Sequence, residues 1–109
     1  MEGPNLLRSS PRTLLCCPVE LRVGEKTIRL EQAIGNLSAG GLFVNAEALP
    51  LNTAVHVKIA AKPPFKAKGV VRFCDAGGVG IEFTSLTPPN RQRLEELIAE
   101  FTHRETLAS

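Results

Sequence analysis

The 109-residue sequence predicts an all-β domain, a small six-stranded antiparallel β-barrel with a C-terminal α-helix. Three observations predict it. Apolar and polar residues alternate in about six short runs, the period of a half-buried strand. Turn residues recur between these runs every eight to twelve residues or so, a spacing that suggests a barrel, which leaves no exposed sheet edge. Only the final stretch changes period: Leu94, Leu97, Ile98 and Phe101 form one apolar stripe at helical spacing.

Residues 1–13 read as a mobile arm, polar and broken by Pro4 and Pro11. Pro11 pushes Ser10 towards an extended conformation, which argues against helix. Residues 14–23 read as a strand, with Leu15, Cys17, Val19, Leu21 and Val23 on one face. Pro18 lacks a backbone donor and suits an edge or a bulge. Gly24-Glu25 turns the chain into a returning strand at residues 26–34, where Ile28, Leu30 and Ile34 alternate with polar positions. After a polar turn come strands at residues 42–45, 53–60, 65–73 and 79–83. Val55, Val57 and Ile59 share an inward face, as do Phe65, Ala67, Val71 and Phe73. Lys58, Lys66, Lys68 and Arg72 point the other way. Lys62-Pro63-Pro64 and Asp75-Ala76-Gly77-Gly78 separate these strands. Thr87 is placed to cap the helix, and Pro88 fits its first position. The domain therefore runs over residues 14–103, with residues 104–109 as a tail.

The formal net charge of +2 is too small to imply nucleic acid or membrane by itself. The apolar runs are too short for a membrane span, and the first ten residues lack the pattern of a signal peptide. Cys16, Cys17 and Cys74 have no CxxC spacing, which suits reduced thiols in a cytoplasmic protein. The cysteines and the two histidines, His56 and His103, show neither metal-ligand spacing nor a nucleophile–base arrangement. No cofactor and no enzymatic activity are expected.

Two features carry possible binding chemistry. The first is the stretch Asn36-Leu37-Ser38-Ala39-Gly40-Gly41. Asn36 offers a donor and an acceptor, Ser38 a hydroxyl, and Gly40 and Gly41 an open backbone. The plain alternative is a polar loop with these residues serving turn geometry. The second is the pair Arg8 and Arg12 on the arm. A guanidinium fork can hold a phosphate, or the O6/N7 edge of guanine. A ligand with phosphates and purines would use both features. The lysine face raises a nucleic-acid alternative, but Tyr and Trp are absent and the stacking platforms of single-strand binders are missing. A solvated face is the better reading, so a nucleic-acid partner is not expected.

Arg8-x-x-x-Arg12, Pro18-Val19-Glu20-Leu21 and Asn36-x-Ser38-x-x-Gly41, in this order, resemble the PilZ domain. Gly69-Val70-Val71-Arg72-Phe73, Gly78-Val79-Gly80-Ile81-Glu82-Phe83 and the C-terminal helix extend the resemblance over nearly the whole chain. PilZ domains are six-stranded β-barrels that bind the bacterial second messenger cyclic di-GMP. The family's RxxxR falls on Arg8 and Arg12. Its D/NxSxxG falls on Asn36, Ser38 and Gly41, with Gly40 completing the double glycine. The resemblance implies a cyclic di-GMP receptor whose arm changes conformation on binding and signals to a downstream protein in motility or biofilm control. It equally admits a PilZ-like interaction module that binds no nucleotide.

Overall fold

The computed structural model describes residues 13–108, with side chains up to Arg104. The expected features at residues 1–12, including Arg8 and Arg12, lie outside the described residues.

The chain forms β1 (Thr13–Leu14), β2 (Val19–Val23), β3 (Lys26–Leu30), β4 (Gly35–Ser38), β5 (Gly41–Val44), β6 (Ala54–Ile59), β7 (Phe65–Asp75), β8 (Gly78–Ser85) and α1 (Pro88–Ala108). The fold is mainly β with one C-terminal helix, as the alternation predicts. Six strands become eight for two physical reasons. The expected strand over residues 14–23 divides at Leu15–Pro18, where Pro18 cannot donate to a ladder. The polar turn around Asn36 is itself a hairpin, and its first arm is β4.

All pairings are antiparallel, in the order β1-β4-β5-β8-β7-β6-β2-β3. Among the described residues the sheet does not close: β1 and β3 stand at its two edges. It nevertheless surrounds a single core, because inward residues from both halves join one cluster. Val19 and Leu21 of β2 meet Leu42 and Val44 of β5 there, together with Val55, Val57 and Ile59 of β6.

The helix completes that core. Leu94, Leu97 and Phe101 are buried on the apolar stripe, and α1 packs against β1 and β7. Burying each such side chain contributes roughly 1.5–3 kcal/mol. The Asn90 N–H donates to Thr87 Oγ1 at 3.3 Å, so Thr87 caps the helix as its position predicts. Arg93 anchors the outer side. Its Nε donates to the Pro63 carbonyl at 2.9 Å and its Nη1 reaches Glu96 and Glu100.

Two side chains depart from simple alternation. Ile34, expected inward, is 69% exposed because β3 ends at Leu30 and a turn follows. Phe73, also expected inward, faces out. A register shift between Val71 and Phe73 pairs Val71 with Ile81 but Phe73 with Gly80. One extra residue in β7 reverses the facing of everything beyond it.

Candidate functional site

The Asn36–Gly41 stretch forms the tip of the β4–β5 hairpin. Asn36 pairs with Phe43, Leu37 with Leu42 and Ser38 with Gly41, leaving Ala39-Gly40 as a two-residue turn. Leu37 and Leu42 are fully buried and fix the facing of both strands.

Each motif residue has a distinct place. Ser38 is fully buried, and its hydroxyl works within the turn. It accepts from the Gly40 N–H at 3.3 Å and donates to the Gly41 carbonyl at 3.4 Å. The Gly40 carbonyl accepts from the Phe83 N–H at 2.9 Å, which ties the turn to β8. Gly41 meets β8 so closely that an added Cβ would sit 2.0 Å from the Ile81 carbonyl oxygen. Only glycine permits that approach. Asn36 is different: its Oδ1 is buried and has no hydrogen-bond partner among the described residues.

The hairpin lies beside β1. Thr13 pairs with Leu37 and Leu14 with Asn36 in the β1–β4 ladder. Thr13 follows Arg12 in the sequence.

Sequence reasoning missed an aromatic platform beside Asn36. The register runs Asn36–Phe43–Gly80–Phe73 across β4, β5, β8 and β7. Phe43 and Phe73 stack with centroids 5.8 Å apart and planes 13° from parallel. The isolated Gly80 between Val79 and Ile81 was the available signal, since a glycine inside a strand marks a close approach. Next to the platform, the Arg72 Nε donates to Glu82 Oε1 at 2.5 Å and Arg72 Nη1 to Asn52 Oδ1 at 3.1 Å.

The other sequence candidates are spread elsewhere. His56, Lys58, Lys66 and Lys68 line a groove on β6 and β7, together with Glu20 and Arg22 of β2. The three cysteines are free thiols. Cys17 has its pKa raised, chiefly by burial, with the Arg104 guanidinium opposing. Among the described residues no cluster of His, Cys, Asp and Glu could hold a metal ion, and no helix is long and apolar enough to cross a membrane.

An antiparallel sheet around one core, a C-terminal helix and a glycine hairpin with a buried, unsatisfied amide oxygen define a small mainly β domain. Residues 6–100 match the PilZ domain family. The chain belongs to that family. No curated protein matches the chain.

Proposed function

We propose that this PilZ domain is a cytoplasmic receptor for cyclic di-GMP. The ligand would lie between the arm and the β4–β5 hairpin. Arg8 and Arg12 would grip phosphate oxygens or guanine edges through paired N–H donors. Asn36 would offer its Oδ1 to the N–H groups of a guanine. Ser38, Gly40 and Gly41 would hold the hairpin in the shape that presents Asn36.

The observation that carries this reading is the unsatisfied Asn36 Oδ1 beside the ladder that begins one residue after Arg12. A buried acceptor without a donor costs roughly 1–3 kcal/mol, which a ligand N–H would recover. The signal is a change in the conformation of residues 1–13, read by a downstream protein. Leu7 precedes Arg8, so no third guanidinium is available there to stack on a second ligand, and one cyclic dinucleotide per chain is expected.

Calorimetric titration with cyclic di-GMP, beside Arg8→Ala and Arg12→Ala, tests the reading. A single site that each variant weakens at least about tenfold supports it. Equal affinity in the wild type and both variants refutes the assignment. Absence of binding to the folded protein would leave a PilZ module that works through protein contacts alone.

A further inference from the structure

We infer that the outer face of β2, β6 and β7 is a docking groove for an acidic, carboxylate-rich segment of a partner protein. This does not depend on nucleotide binding at the hairpin. The groove has a volume of about 530 Å³.

Its charge arrangement is unusual. Arg22 stands directly across from His56, His56 from Lys68, and Lys58 from Lys66. Cationic side chains directly opposed on neighbouring strands repel. None of Arg22, Lys58, Lys66 and Lys68 has an ion-pair partner among the described residues. The groove contains one carboxylate, Glu20, which is in register with Lys58. That carboxylate lies 3.6 Å from Arg29 on β3 instead, so it leaves Lys58 unmatched. By contrast Arg29, Arg72 and Arg93 each hold a carboxylate. Strand pairing has thus gathered four unmatched cations and a histidine in one concavity. Ser85, Thr87 and Asn90 add hydroxyl and amide groups at the end where α1 begins.

Charge complementarity calls for an anion, and the shape favours a peptide. The groove spans three strands, a width of about 10 Å, which admits an extended segment carrying a few carboxylates. It is lined by no Phe, Tyr or Trp, and the His56 imidazole is its one ring, which is poor provision for stacking the successive bases of a single-stranded nucleic acid.

The test uses the full chain, labelled with ¹⁵N and titrated with a short oligoglutamate peptide at low salt. Amide shifts at His56, Lys58, Lys66 and Lys68 are expected to move. The double variant Lys66→Glu/Lys68→Glu should bind the peptide at least tenfold more weakly, while Lys26→Glu/Lys62→Glu, outside the groove, should bind as the wild type does. The neutral pair Lys66→Gln/Lys68→Gln serves if the charge reversal unfolds the chain. Absence of binding overturns the proposal, as does equal weakening by the two glutamate doubles. Tighter binding of an oligothymidylate of the same charge at the same residues would make this a nucleic-acid surface and also overturns it. Cyclic di-GMP affinity in the Lys66/Lys68 variants should not change, which separates this groove from the hairpin site.

Discussion

Phe43 and Phe73 stack with nearly parallel, offset rings across Gly80, although their strands are not neighbours. The glycine on β8 makes the contact possible: an added Cβ would lie 2.2 Å from the Phe73 ring. Gly80→Ala must therefore displace that ring. The ring is half-buried at the surface and can swing away, so the loss is that of an aromatic pair, about 1 kcal/mol. Gly41→Ala meets backbone instead of a movable side chain, at 2.0 Å from the Ile81 carbonyl oxygen. It should cost roughly 3 kcal/mol or more. Urea denaturation of both variants checks the order. A Gly41→Ala protein as stable as the wild type would show that the hairpin and β8 can separate freely.

Asn36 and Ser38 belong to one motif but should respond differently. Asn36→Ala removes a buried acceptor that has no partner among the described residues, which lifts a cost of roughly 1–3 kcal/mol, so stability should rise and not fall. Its cyclic di-GMP affinity should fall at least about tenfold. Ser38→Ala leaves the Gly40 N–H without its acceptor in a part-buried turn, and stability should drop by about 1–3 kcal/mol. Melting and calorimetry on the same samples separate the two effects. If Ser38→Ala lost affinity at unchanged stability, its hydroxyl would be a ligand contact and not a turn clamp.

Much of this organisation was legible in the sequence. Val55, Val57 and Ile59 alternate cleanly and are all buried, and the Thr87-Pro88 start of the helix stands as its cap chemistry predicts. Local patterns suffice there because strand period and capping are local. The hairpin was harder to see. The double glycine suggested a loop, and a fully buried Ser38 carries no apolar mark. Phe73 was misplaced because a bulge changes the count that alternation depends on. The cationic groove was legible only in part: strand alternation puts Lys58, Lys66 and Lys68 on one face, but it does not bring Arg22 to them. Arg22 and His56 lie far apart in the chain, and only the β2–β6 pairing makes them neighbours.

The cysteines should differ in reactivity. The thiolate is the reactive form, and burial raises the Cys17 pKa. A raised pKa keeps the thiol protonated to higher pH, so Cys17 reactivity should climb only on the alkaline side of an ordinary thiol. Cys16 is exposed and should be modified first. Iodoacetamide labelling across a pH series, read by peptide mass spectrometry, checks this. Faster labelling of Cys17 at neutral pH would mean that Arg104 outweighs burial.

The opposed Lys58 and Lys66 predict a conflict between stability and docking. In the free protein their repulsion is not relieved by any ion pair among the described residues, so Lys58→Gln should raise Tm by a few degrees. The gain should shrink as salt rises, because screening weakens the wild-type repulsion that the substitution removes. The same variant should bind oligoglutamate more weakly, since the groove loses one of its unmatched cations. Melting curves at low and high salt, with a peptide titration of the same variant, measure both sides. A Tm that did not move at low salt would mean that the two ammonium groups splay apart into solvent, and that strand register alone does not concentrate charge in the groove.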